Sequence, residues 1–309
     1  MRAVAIRSAV FLLVVGLPLF PGPLGGYTPF AQLSAFRPQG ILLIALLCVL
    51  AFNRKSLRLY AVLGLALAVI AALNTAPRLL STPEPAASGR TTLTVMGANI
   101  LGGGASPETV AALIRTHQPA FVSLPEATED VRKAIEAKLP GYRGHTIQTD
   151  DSPVSATSVL VSTRLGDVRF DAAGDPTSFG HVAVTGGALG ELRLIAYHSF
   201  PPVPSAAGRW RDDLKAIGPW CADGKAVIVG DFNASIDHAP FRKALGDRCR
   251  SVAPSVGRGL IGTWPADRPA FVRTQIDHVV FTEGLAPIGF TAYDLKGSDH
   301  RAVVAKLAV

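Results

Sequence analysis

The sequence predicts an α/β protein in two parts: three transmembrane helices, followed by one domain of sheets covered on the outside by helices. Three observations lead there. Residues 8–20, 40–52 and 59–76 are apolar runs almost free of polar side chains; residues 1–79 contain no Asp or Glu; and from Arg90 onward short β-rich runs alternate with helical stretches.

The third apolar run is long enough to span unaided, because a spanning helix needs about 17–25 apolar residues. The first two reach that length with flanking Ala, Gly, Pro and aromatic residues. None shows a polar face, which argues against helices of a soluble core. No small-x-small site follows Phe20, which argues against a cleaved signal peptide. Arg2 and Arg7 precede the first run, and Arg54, Lys55 and Arg58 fill the loop between the second and third. Basic residues near membrane ends favour the cytoplasm, so the N-terminus is expected inside. Arg37 and Arg78 fall on the opposite side, with the whole domain after residue 76. The expected protein is a multi-pass cell-membrane protein with an extracytoplasmic domain: residues 1–76 anchor, the Pro-, Ala- and Ser-rich residues 77–90 a linker, and residues 91–309 one domain of ordinary size.

Removing the seven basic residues of residues 1–79 leaves 23 of the 30 Lys and Arg, against all 23 Asp and Glu. The remainder of the chain is therefore neutral, which removes the global argument for a duplex-binding face. Cys221 and Cys249 both lie in it. An oxidising compartment favours a disulfide between them, with two buried thiols as the alternative.

The domain opens with a strand at "TTLTVMGAN" (91–99). Ser106 as cap and Pro107 at the first position then start a helix through "ETVAALIRTHQ". "AFVSL" is the next strand, and Thr128 caps the helix "EDVRKAIEAKL". Strands follow at "ATSVLVST", "DVRFDAA", "FGHVAVTG" and "ELRLIAYHS", then a helix begun by Ser205 through "RWRDDLKAIG". "AVIVGD" (226–231), a short helix at "APFRKAL", and closing strands at "QIDHVVFT", "IGFTAYDL" and "RAVVAKLAV" complete the domain.

Several strands finish on polar residues: Asn99, Glu126, His198, then Asp231 and Asn233 in "GDFN". Asp277 lies with His278 inside a closing strand, and Asp299 and His300 lie in the loop before the last. Polar groups at one end of neighbouring strands can converge on one pocket while the apolar strand bodies fix their geometry. Singly, each has an ordinary explanation. An Asp or Asn after a strand closes a turn on its own backbone, a glutamate is a solvated acid, and a histidine is packed or exposed, as His117, His145 and His238 are read to be.

Jointly, Asn99, Glu126, His198, "GDFN", "IDH" and "SDH" in this order resemble the endonuclease/exonuclease/phosphatase (DNase I-like) superfamily, over about residues 92–309. The resemblance implies a four-layer α/β sandwich and a Mg²⁺-dependent phosphoesterase site, with Mn²⁺ as a substitute. "GTWP" (262–265) is similar to the family's loop before the Asp-His strand. Two departures stand out: Pro125 replaces the Gln often found before the metal-binding Glu, and "SFPPVP" follows His198. Three spans ahead of the domain resemble a membrane-anchored bacterial subgroup.

The resemblance implies that Glu126, assisted by Asn99 and Asp299, holds the metal. Asp231 orients or deprotonates the attacking water, Asn233 donates to the phosphate, His300 stabilises the transition state as an imidazolium held by Asp277, and His198 is a second phosphate contact or general acid. The expected substrate is a lipid-linked phosphate or diphosphate of the envelope, met at the lipid bilayer. A membrane-tethered nuclease ranks behind it, because the compact basic candidates Arg209, Trp210 and Arg211 do not share a helix face. A non-catalytic binding module ranks last, because no expected site residue is missing. No obligate protein partner is inferred.

Overall fold

A strand buried on both faces reads as a near-continuous apolar run, and "AVIVGD" is such a strand. Val227 and Val229 enter one core, while Ala226 and Ile228 enter another. The computed structural model describes residues 2–83 and 89–309. Its strands are β1 (Thr92–Gly97), β2 (Phe121–Pro125), β3 (Tyr142–Gln148), β4 (Ala156–Ser162), β5 (Val168–Ala173), β6 (His181–Gly186), β7 (Arg193–His198), β8 (Ala226–Asp231), β9 (Cys249–Ser251), β10 (Asp277–Thr282), β11 (Ala286–Asp294) and β12 (Arg301–Ala308). Its α-helices are α1 (Arg2–Leu19), α2 (Phe30–Ala35), α3 (Arg37–Phe52), α4 (Arg58–Thr75), α5 (Pro77–Leu80), α6 (Pro107–His117), α7 (Glu129–Glu136), α8 (Ala207–Lys215), α9 (Ile217–Ala222), α10 (Ala239–Leu245) and α11 (Val252–Ser255).

The strands form two six-stranded sheets, ordered β11-β12-β1-β2-β4-β3 and β5-β6-β7-β8-β10-β9. Val95, Phe121 and Val303 of the first meet Leu194, Val229 and Val279 of the second in the central core. The outer face of the first sheet is covered by α6 and α7 through Val110, Ile114 and Ile135. That of the second is covered by α8, α9 and α10 through Trp210, Ile217 and Phe241. The result is the four-layer α/β sandwich the resemblance implied.

Ser106 and Thr128 cap α6 and α7 as expected, accepting from the N–H of Thr109 and Val131. Ser205 does not cap α8, whose N-cap position is Ala206 without a side-chain bond. Cys221 and Cys249 are joined by a disulfide, which tethers α9 to β9. Of the expected linker, Pro77–Leu80 form α5, whereas residues 84–88 lie outside the described residues.

Among the described residues, Arg58–Leu80 is the helical stretch long and apolar enough to cross a membrane; Val4–Leu19 and Arg37–Phe52 are apolar but shorter. Proline sets part of that limit, since Pro18 and Pro38 lie at the ends of α1 and α3 where a longer span would continue. The three helices pack together through Leu19, Ile41, Ala68 and Ala71.

This N-terminal bundle is fastened to the domain. Arg37 and Arg78 both bind the buried Asp237, at 2.7 Å and 2.6 Å. His238 Nε2 lies 2.7 Å from the Ala31 carbonyl, and Arg211 donates to the Gly26 carbonyl at 2.8 Å. Asp237 and His238 read as an ordinary helix start in the sequence, because these partners lie 159 to 207 residues away.

Candidate active site

Strand direction gathers the polar residues at one edge. β1 runs parallel to β2, and β7 parallel to β8, so four C-terminal strand ends lie together. Their antiparallel neighbours β12 and β10 begin there. His198 therefore pairs in register with Asp231, and Asp231 with Asp277.

Local backbone chemistry aims the side chains. Gly230 has φ 153°, and a Cβ there would stand 1.8 Å from the Tyr197 carbonyl oxygen, so only glycine allows this approach. Asp231 Oδ1 accepts the Asn233 N–H at 2.8 Å, closing an Asx turn in which Asn233 takes a left-handed φ of 46°. Glu126 also has a left-handed φ, 61°. That conformation costs a non-glycine residue about 1–2 kcal/mol, and it turns the carboxylate off the end of β2 toward Asn99.

The Asn99 amide donates to Glu126 Oε1 at 2.9 Å and to Asp231 Oδ2 at 3.1 Å, while its own oxygen accepts from the Leu101 N–H. Asp231 Oδ2 also lies 3.8 Å from His198 Nε2 and 3.6 Å from His300 Nε2. His300 Nδ1 sits 3.0 Å from Asp277 Oδ2. Asp299 Oδ2 accepts from the Trp264 indole at 2.9 Å, leaving its buried Oδ1 without a partner and 3.9 Å from His300 Nε2. Asn233 gives one amide hydrogen to the Ser199 carbonyl. All eight expected residues thus belong to one cluster. Asn99 differs from the expectation in detail: its nitrogen, not its oxygen, faces the acids.

Electrostatics separates the two histidines. Burial opposes charge on His300, but Asp277 and Asp231 more than offset it and raise the group to about 10. Burial and the neighbouring His300 charge push His198 down to about 3. His300 is an imidazolium at neutral pH and His198 a neutral ring. Burial raises Asp231 and Glu126 above the usual carboxylate range, outweighing the opposing pull of His300 on the first and the Asn99 hydrogen bond on the second.

Other residues support the cluster. Thr263 Oγ1 accepts the N–H groups of Ile276 and Asp277, and Ser298 bridges the Asn99 carbonyl and the His300 N–H. Asp213 receives the Phe200 N–H at 2.7 Å beside His198. Thr263 and Trp264 fall within the "GTWP" signal and Ser298 within "SDH", though without a role assigned to it; nothing in the sequence singles out Asp213.

The two-sheet sandwich and this edge of acids and histidines define a protein of the hydrolytic phosphoesterase class. The Endonuclease/Exonuclease/phosphatase family matches over residues 96–300, and the chain belongs to that family. Comparison with curated proteins finds no match. Among solved structures, a humanized TDP2 of D. rerio with 14 mutations is similar at 14% identity and TM-score 0.60, covering 71% of this chain and 99% of that one. D. rerio TDP2 complexed with single strand DNA product is similar at 13% identity and TM-score 0.57, covering 71% and 100%. An endonuclease/exonuclease/phosphatase from Bacteroides vulgatus is similar at 17% identity and TM-score 0.56, also covering 71% and 100%. At such identities the likeness is one of fold.

Proposed function

We propose that the protein is a membrane-anchored, Mg²⁺-dependent phosphoesterase that hydrolyses a lipid-linked phosphate or diphosphate on the outer face of the membrane. The observation that carries the chemistry is the convergence of Asn99, Glu126, His198, Asp231, Asn233, Asp277, Asp299 and His300 at one strand-end edge. The anchor is supported by exposed apolar side chains such as Leu13, Leu42, Leu46, Val62, Ile70 and Leu73 on α1, α3 and α4. A soluble helix would not leave such a surface in water. The disulfide agrees with an oxidising compartment.

The donor set fits a hard cation. Asp231, Asp277 and His300 offer ligand atoms within 4.8 Å of one another, but an imidazolium gripped by two carboxylates has no lone pair to give a metal. Glu126, Asn99 and Asp299 are the better holders. Glu126 is a buried acid whose ionised form a cation would favour, Asp299 Oδ1 is buried without a partner, and turning the Asn99 amide brings its oxygen toward the acids. Oxygen donors of this kind suit Mg²⁺, which when bound would supply positive charge against the non-bridging phosphate oxygens. Asp231, made more basic by burial, takes the proton of the attacking water. His300 places a fixed positive charge where negative charge develops, and Asp277 orients it. The neutral His198 and the second amide hydrogen of Asn233 bind phosphate oxygens.

A nuclease is the second reading, favoured by the TDP2 neighbour complexed with single strand DNA product. The test is phosphate release by detergent-solubilised protein, with Mg²⁺, from polyprenyl diphosphate, phospholipid and plasmid DNA in parallel. Release from a lipid substrate is expected. Plasmid nicking without lipid turnover would reverse the order.

A further inference from the structure

Beyond the anchor, large apolar side chains exposed to solvent are few. Among the described residues after 89 they are Leu101, Val154, Val203 and Phe271. Scattered singly, such residues need no explanation, but these four all lie on loops bordering the polar cluster. Leu101 follows Asn99 by two residues and donates its N–H to the Asn99 oxygen. Val154 lies in the turn Pro153–Ser155; its carbonyl approaches His198 without forming a hydrogen bond of good geometry at Nδ1. Val203 follows His198 in "SFPPVP". Phe271, 76% exposed, lies in the turn Ala270–Val272 between Trp264, which holds Asp299, and Asp277. At the opposite edge of the sheets Leu165, Leu189 and Leu285 are buried in the core. The apolar exposure is therefore one-sided.

The N-terminal bundle touches the same edge. Gln32 donates to the Pro202 carbonyl, beside Val203, at 2.5 Å. Gln39 donates to the Arg273 carbonyl at 2.7 Å, and Thr274 donates to the Ala35 carbonyl at 2.5 Å. Both contacts lie next to the Phe271 turn, and both come from the junction of α2 and α3, where the apolar helix α3 begins. Two of the four loops are thus held at the level at which a helix would enter the bilayer.

We infer that the cluster opens onto the membrane surface, with Phe271 and Val203 seated among the lipid chains and Leu101 and Val154 completing the rim. The occupant of this rim is the bilayer, and the substrate it selects is a phosphate ester held in that bilayer by its own apolar tail. The inference rests on the membrane-anchored phosphoesterase reading. It adds that hydrolysis occurs without the substrate leaving the lipid phase, the apolar tail remaining among its neighbours while the head group reaches the Asp231 side of the cluster.

Site-directed fluorescence tests the contact without using activity. Cys48 is buried and Cys221 and Cys249 are bonded to each other, so a cysteine introduced on the surface is the accessible thiol. Full-length F271C, V203C and, as control at the far edge, E191C are labelled with an environment-sensitive fluorophore and reconstituted into phosphatidylcholine vesicles containing spin-labelled lipid. Strong quenching at 271 and 203 with little at 191 is expected; equal quenching at all three, or none at 271, overturns the contact.

Turnover tests the substrate. F271S/V203S should keep the parent rate on the soluble ester bis(p-nitrophenyl) phosphate, while losing about tenfold or more on a long-chain polyprenyl phosphate in vesicles, the scale set by the apolar area removed. Equal loss on both substrates, or no loss on the vesicle substrate, overturns the role of the rim. A parent protein that hydrolyses neither ester but is quenched at 271 removes the phosphoesterase reading and leaves the membrane contact standing. Quenching at 271 that requires an added protein assigns the rim to a protein partner and overturns the inference.

Discussion

Asp277 Oδ2 stands 3.0 Å from His300 Nδ1, the tightest histidine–carboxylate contact in the cluster, and it comes from the first residue of β10 meeting the residue just before β12. Asp277 itself is held by the Thr263 hydroxyl, so the ion pair is oriented from behind and leaves Nε2 facing Asp231.

This pair predicts a pH signature. Burial lowers the His300 pKa and the two carboxylates raise it further than burial lowers it, so the group keeps its proton up to about pH 10. Activity that needs the imidazolium is lost as pH rises through that value. In Asp277→Asn the alkaline limb of the kcat profile should move to lower pH. An unmoved limb together with a lowered kcat would limit Asp277 to a packing role.

Asp231→Asn removes the proposed base. General-base contributions run to about 10²–10⁴-fold, so kcat should fall by that order. Thermal stability should be kept or raised, because burial opposes the Asp231 charge. Activity within a few-fold of the parent protein would remove Asp231 from the chemistry.

Metal dependence should run through Glu126. EDTA is expected to abolish turnover and Mg²⁺ or Mn²⁺ to restore it. Glu126→Gln should raise the Mg²⁺ concentration for half-activation by about 10–100-fold, the scale seen when groups supporting a metal are removed. An unchanged Mg²⁺ titration would place the ion elsewhere.

Asp237 predicts how the junction between the N-terminal bundle and the domain responds to acid. Burial alone would raise its pKa, and Arg78 and Arg37 more than reverse this, leaving it below the ordinary 3.8. A depressed carboxylate contributes stability in full above its unfolded value, and that stability is lost as pH falls through the folded value. Thermal stability should therefore fall on acidification below about pH 4, and Asp237→Asn should flatten that dependence. Asp237→Ala takes the carboxylate from two largely covered guanidinium groups, at a cost of up to about 3–5 kcal/mol.

The bond between Cys221 and Cys249 closes a loop of separation 28, for which chain entropy assigns about 3–4 kcal/mol. Reduction should lower Tm by several degrees. Non-reducing mass spectrometry of protein purified from membranes should show a mass two hydrogen atoms short of the dithiol, and two free thiols would count against the proposed outer placement.

The strand ends were legible in the sequence because apolar runs stop on unlike residues there, and "GDFN", "IDH" and "SDH" keep their order along the chain. The cap of α6 was legible because Ser106, Pro107 and Glu108 act locally. β3 was not, because "YRGHTIQ" is half-exposed and polar, and the start of α8 was misplaced because no side chain caps it. The role of Ser298 within "SDH" and the whole of Asp213 were not legible, since both depend on backbone groups brought near only by folding.

Short segments alone thus carried the apolar N-terminal composition, the charge balance of the chain after residue 79 and the eight polar strand-end and loop residues. Tertiary structure decided what those residues do to one another: which histidine keeps its proton, which acid grips it, and that Arg37 and Arg78 meet Asp237. The reason is physical. Burial and charge proximity act through space, and here each decisive contact joins residues far apart along the chain.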